Sequence, residues 1–503
     1  MRSKSVDFGK IELFCSMTIN ESGHVQVMER QFGLFSLCCL AISFGCVWPL
    51  LGGFLVVALS NGGPAGVIYE FLFAASSCFA ELASSIPSSS GTRLIAGRSN
   101  FFAFLFGSFT GSLVLAQIMS SIYAMMNPEY VYQRWHALIA QVCFTWVCCG
   151  LVMFCNRALA LLSKWSLPFI LGGFFVTVLV CIIMPSQTGK GYASHLEVWK
   201  QWDNYSGWDT NIMVFYLGSM GLFCVLGVPA SLGQLAEEVP NAPVNLPKAQ
   251  LAMYRSGITM GFLYLVVIFY AVTDRDSLFD VTLPFPLVEV YRQATDSRVG
   301  SLFLCLLLFL PLFSANVGIY LVVGRTLWTL ARDNATPFPS WLSRIDKRFE
   351  NPLNATMACG IFSTFAGVVN IASPAALVAI SSAFALFAAS SWLTVVIPNI
   401  LTRRRYLVPG PFWMPAWVYY PLAIFSCLFR IVFTVIYCFP PVMPFDVTSL
   451  NWSPVMFSGS TLLVPVWWFC VRNKGYTGPG VLLLDHVVTG PEPRETSTPV
   501  KEE

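Results

Sequence analysis

The chain has 503 residues, of which 56% are hydrophobic and 11% charged, with a net charge of +3. Soluble domains usually carry about 25% charged residues, and polar groups must cover a soluble surface, so a water-soluble enzyme of this size is excluded. Length alone would suggest about three soluble domains. The hydropathy instead places nearly the whole chain in one helical bundle in lipid, and no nucleic-acid partner is expected.

Residues 1–33 are polar and mixed in charge and read as a cytoplasmic tail. No cleavable signal is visible, because the first apolar run is too long for a signal peptide. A bilayer core takes about 20 apolar residues per helix, and the charge-poor runs of residues 34–471 supply a transmembrane domain. Leu34–Ser60 is the first span and Pro64–Ile86, with Glu70 and Glu81, the second. Phe101–Met126, Ala137–Cys155 and Trp165–Met184 follow, then Asn211–Ala236, Ser256–Thr273 and Val299–Gly324. Asn351–Thr402 carries no charge and holds two spans, with a turn at Ala372-Ser373-Pro374, since Ser-Pro starts turns. Pro415–Tyr437, with Arg430, and Ser453–Cys470 complete about 12 transmembrane helices. Residues 472–503 form a second cytoplasmic tail that ends in a polar, disordered stretch.

Orientation follows from Lys and Arg. With the N-terminus inside, fourteen fall in inner loops, among them Arg98, Arg325, Arg403, Arg404 and Arg405, against six in outer loops. Of the sequons, Asn204 and Asn451 fall outside and are the glycosylation candidates. Most of the 16 Cys lie in apolar runs without CxxC metal spacing, so they read as small buried hydrophobes and no metal is expected.

A transporter must bind a polar solute at mid-depth, where an intact helix offers few ligands and a broken one frees N–H and C=O groups. The first span reads Ser43-Phe44-Gly45-Cys46-Val47-Trp48-Pro49-Leu50-Leu51-Gly52-Gly53, and Pro49 would cost about 3 kcal/mol in an unbroken helix. The sixth reads Leu226-Gly227-Val228-Pro229-Ala230-Ser231-Leu232-Gly233. One and six are matching members if the fold is two repeats of five helices. Gly and Pro also serve membrane helices as kinks and packing surfaces, but breaks in both favour transport. Glu81 is a candidate gate or proton-coupling residue. Glu70, nearer the outer half, reads as facing the aqueous interface, and Arg430 needs a carboxylate, carbonyls or water.

The motifs resemble those of fungal amino acid/choline permeases of the amino acid–polyamine–organocation superfamily. Ser60-Asn61-Gly62-Gly63-Pro64 with Ala80-Glu81-Leu82-Ala83-Ser84-Ser85-Ile86-Pro87 and Ser90-Gly91 is similar to the family's SxGGP…SELASxYPxxGG region. Gly227-Val228-Pro229-Ala230-Ser231 with Ala236-Glu237-Glu238-Val239-Pro240-Asn241-Ala242 resembles its GFDAS…SEEVxNA pattern. Ala331-Arg332-Asp333-Asn334-Ala335-Thr336-Pro337-Phe338-Pro339, the Pro409-Gly410-Pro411-Phe412 loop and Lys474-Gly475-Tyr476-Thr477-Gly478-Pro479 continue the match in order. The resemblance implies two inverted five-helix repeats with broken helices 1 and 6, plus two further helices. It implies a secondary permease importing an amino acid or small amine such as 4-aminobutyrate or choline, coupled to protons, in the plasma membrane or alternatively the vacuolar membrane. The substrate would meet Gly45, Cys46, Trp48 and Pro49, then Gly227, Val228, Pro229, Ala230 and Ser231. Pro229 stands where the family often has an acidic residue, which makes this site less polar. The alternative is a non-transporting nutrient sensor on the same fold, disfavoured by the short tails. An enzyme is not expected: there are four His and no HExxH, and no phosphate-binding GxxxxGK[ST] or other cofactor motif.

Overall fold

The computed structural model describes residues 32–82, 94–127, 129–219, 221–222, 226, 230–279, 284–346, 348–349, 351–372, 374–405, 412–440, 443–445 and 450–471. These residues are almost entirely helical, with two isolated bridges, Asn61 to Asn204 and Asp346 to Asn351. The first span is two helices, α1 (Leu34–Phe44) and α2 (Val47–Ser60); α3 (Gly63–Leu82) follows after a tight turn. Spans three to five are α4 (Leu94–Met126), α5 (Arg134–Phe154) and α6 (Asn156–Gln187). A short helix, α7 (His195–Trp199), leads to α8 (Asn211–Gly218) and α9 (Ala230–Gly233), the described pieces of the sixth span. Next come the long α10 (Ala242–Ala271), the connecting α11 (Asp276–Phe279) and α12 (Leu287–Thr295), and α13 (Arg298–Arg332). The helices α14 (Pro339–Leu342), α15 (Leu353–Ala372), α16 (Pro374–Leu401), α17 (Ala416–Ile436) and α18 (Ser453–Val471) complete the bundle.

Nine stretches among the described residues are long and apolar enough to cross a bilayer. Together with α3, the α8–α9 pair and α18 they fill the expected order of spans, and the chain is an integral membrane protein. The expected turn at Ala372-Ser373-Pro374 falls between α15 and α16, and Ser373 itself lies outside the described residues. Helices α4, α6, α10 and α13 extend beyond the apolar runs into charged flanks. Arg98 explains one case: it lies in α4, buried, with Nη2 donating to Ala335 O at 2.5 Å, so its charge is matched by a carbonyl and does not end the helix.

Some helices begin on side-chain caps. Ser297 Oγ accepts from Gly300 N at the start of α13, and Ser194 and Glu197 form a reciprocal capping box on α7, satisfying donors that a first turn otherwise leaves open. The core lies along α13, whose buried face runs from Ser301 to Ala331 against α1, α4, α5, α6, α12 and α15. Of the cysteines, Cys39, Cys148, Cys149, Cys181, Cys305 and Cys359 are buried in this packing. The turn after α2 is tied to the segment before α8: Gly62 N donates to Asp203 O at 2.7 Å and Tyr205 N to Ser60 O at 2.9 Å.

Candidate functional site

The first span is interrupted at Gly45 and Cys46. Gly45 N donates to Ala41 O (2.9 Å) and Cys46 N to Ser43 O (3.3 Å), after which the chain re-enters a helix at Val47. The interruption stops the helical ladder and leaves carbonyls at the end of α1 and amides at the start of α2 without continuing partners. Pro49 is not the break itself. It sits in the first turn of α2, where a missing N–H costs nothing because that donor is orphaned anyway. The chain therefore winds through Pro49 unbroken, and the kink lies on its N-terminal side.

Small residues let neighbours close on the break. A side chain at Gly45 would overlap Met253 of α10, and one at Gly52 would overlap Leu287 of α12. At Gly318 of α13 a Cβ would lie 2.5 Å from the Phe44 ring. Trp48 is fully buried, its ring 5.4 Å from Tyr264 and 6.3 Å from Phe174, and its Nε1 has no hydrogen-bond partner. Tyr264 and Tyr291 share a 2.6 Å hydroxyl–hydroxyl hydrogen bond beside it. The result is an aromatic layer with one unused indole donor next to unpaired backbone groups. That combination suits a small solute with a polar head and an apolar body.

Gly45, Cys46, Trp48 and Pro49 are thus brought together and buried. Ser231 is buried on α9, and Ala230 begins that helix. Gly227, Val228 and Pro229 lie outside the described residues, as does the side chain of Glu81. Glu70 corrects the expectation of an aqueous position: it is fully buried, and neither carboxyl oxygen has a hydrogen-bond partner. Sequence alone missed this because burial depends on which helices cover α3, here α2, α8, α10 and α17. The guanidinium of Arg430 lies 4.9 Å from the Trp392 ring centre, an aromatic contact that was not among the groups anticipated. Tyr264, Tyr291 and Phe174 carry no sequence mark, since an aromatic in an apolar run looks the same whether it faces lipid or a site.

Two charged networks flank the site. On the side assigned as inner by the Lys and Arg distribution, Arg325 Nε donates to Glu238 Oε1 at 2.6 Å, with side chains 3% and 4% exposed. Arg325 Nη1 also donates to Asn351 Oδ1, and Asn351 Nδ2 to Val152 O. This ties the turn after α9 to α13, α15 and the end of α5. On the opposite side Arg275 lies 2.6 Å from Asp203 and 3.5 Å from Glu197. The Ser194 backbone amide, with the Ser194 hydroxyl and Arg275, holds the Glu197 carboxyl below the usual carboxylate range.

Asn204 is exposed and caps a turn, with Nδ2 donating to Trp208 O. Asn451 is 7% exposed, and Nδ2 donates to Tyr437 O (2.8 Å) and Phe439 O (3.1 Å). A glycan on that nitrogen does not fit this geometry.

A family model described as amino acid permease matches residues 32–463. The choline transporter of Saccharomyces cerevisiae is 27% identical over 88% of this chain and 81% of its own length. The GABA-specific permease of the same yeast is 23% identical, covering 92% and 86% of the two chains. Its 7-keto 8-aminopelargonic acid transporter is 21% identical over 73% and 77%.

Proposed function

This chain belongs to the amino acid permease family, and we propose that it imports an amino acid or a small amine of the 4-aminobutyrate or choline type, driven by protons. It is a transporter rather than an enzyme. The observation that carries the substrate reading is the break at Gly45 and Cys46 beside the orphaned Trp48 indole. A carboxylate or hydroxyl on the cargo would accept from that N–H and from the first-turn amides of α2, whose dipole favours negative charge. An alkyl or quaternary ammonium portion would lie against Tyr264 and Phe174. By the family resemblance, the sixth-span residues Gly227, Val228, Pro229, Ala230 and Ser231 are proposed to meet the same cargo. The plasma membrane is the proposed residence, with the vacuolar membrane as the alternative.

Uptake of labelled 4-aminobutyrate, choline and an amino acid panel by permease-deficient yeast expressing the chain tests this. Accumulation that Trp48→Ala abolishes at equal surface expression is expected. No accumulation of any of them by a surface-expressed chain counts against the proposal.

A further inference from the structure

Resting on that permease reading, we propose that Glu70 is the proton-binding group of this protein, a carboxyl that takes up a proton as α3 closes on α8 and releases it as the two part. Glu70 lies about 10 Å along α3 from its Gly63 end, is fully buried, and has no hydrogen-bond partner on either oxygen. It sits against Gly218, the last residue of α8. A Cβ built there would lie 2.5 and 2.6 Å from the two Glu70 oxygens and 2.7 Å from the Asn61 carbonyl oxygen. Carboxyl, carbonyl and α8 backbone therefore converge with no room for a methyl group at Gly218, and the burial of Glu70 keeps bulk water away.

The titratable and charged groups on the elements around α3 are His195 and Glu197 on α7, Asp203 with its partner Arg275 against the Gly63 end, Tyr216 on α8, Lys248, Arg255 and tyrosines on α10, and Cys427, Arg430 and tyrosines on α17; α2 offers none. None of them hydrogen bonds to Glu70. An anion in this place would face a carbonyl oxygen with neither cation nor solvent, an arrangement that low-dielectric burial disfavours strongly. The closed contact therefore holds the neutral acid: the carboxylate plus one hydronium gives the carboxylic acid and water. Ionisation requires water, which enters only when α8 moves away. Proton binding and the position of α8 are two ends of one equilibrium, and each biases the other. Because α8 is a piece of the sixth span and packs on α2 of the first, the proton acts on the helices that flank the proposed cargo.

Two measurements on the full chain in liposomes test this. Dicyclohexylcarbodiimide reacts with protonated carboxyls in apolar surroundings; it should reach and modify Glu70 as α8 moves away, as read by peptide mass spectrometry, and the adduct should fade from acidic to alkaline pH. Labelled choline and 4-aminobutyrate uptake should vary by up to about tenfold per pH unit in the parent protein. Glu70→Gln should flatten that to under roughly twofold while gradient-independent exchange of cargo persists, and Glu81→Gln serves as the comparison. An unchanged pH profile in Glu70→Gln, or flattening in Glu81→Gln alone, overturns the proposal and leaves the permease reading intact. If the parent protein moves neither cargo, or Glu70→Gln does not reach the membrane, the labelling decides: no adduct on Glu70 at any pH overturns the proposal.

Discussion

The buried pair of Arg325 and Glu238 offers the sharpest test of the packing. Both side chains are almost wholly enclosed, and Arg325 is further held by Asn351. Breaking a buried pair of this kind by removing one partner costs about 3–5 kcal/mol. Glu238→Gln and Arg325→Met should each destabilise by about that amount. The double variant removes the pair together and should cost no more than either single change, so the cycle should return a coupling of at least about 3 kcal/mol. Unfolding in mixed micelles titrated with sodium dodecyl sulfate, followed by tryptophan fluorescence, measures all four proteins. Costs that simply add, or single losses under about 1 kcal/mol as for an exposed pair, would refute the reasoning.

Other outcomes follow from local geometry. Gly318→Ala should destabilise by about 1–3 kcal/mol, because the Phe44 ring it meets cannot fold out of the way; Gly150→Ala, with nothing within 4 Å of the new carbon, should not, and thermal melts of the two variants compare them. Endoglycosidase treatment should shift the parent protein on a gel; Asn204→Gln should abolish the shift and Asn451→Gln should leave it. Lys190 lies 2.5 Å from Asp296 and holds that carboxyl below its usual range. A depressed carboxylate contributes stability above its unfolded value and loses it as pH falls through the folded one. Lys190→Ala should therefore lower the melting temperature slightly at neutral pH. The difference from the parent should close in acid and in high salt, since the pair is exposed.

The spans were readable because lipid imposes a length and a polarity that no fold can evade. The boundary between α15 and α16 was readable because a Ser-Pro pair favours a turn. Pro49 pointed to the correct segment and the wrong residue: the same ring that breaks a helix interior is at home in a first turn, and sequence does not say which side of the break it occupies. Glu70 was misplaced for a different reason. Its depth along α3 was visible, but its cover comes in large part from α8, a segment remote in the chain. Arg98 and Arg325 looked like loop charges because their acceptors, Ala335 O and Glu238, become neighbours only when the bundle closes. Tertiary contacts of this kind leave no periodic trace.

The two backbone bonds between the Ser60–Gly62 turn and the Asp203–Tyr205 segment have a mechanical consequence. They strap together the chain leaving α2 and the chain entering α8, so the two pieces share a common bracket. Any parting of α8 from α3 therefore has to pivot about this tether, which lies at the entry to α8 and leaves its Gly218 end as the part with room to travel.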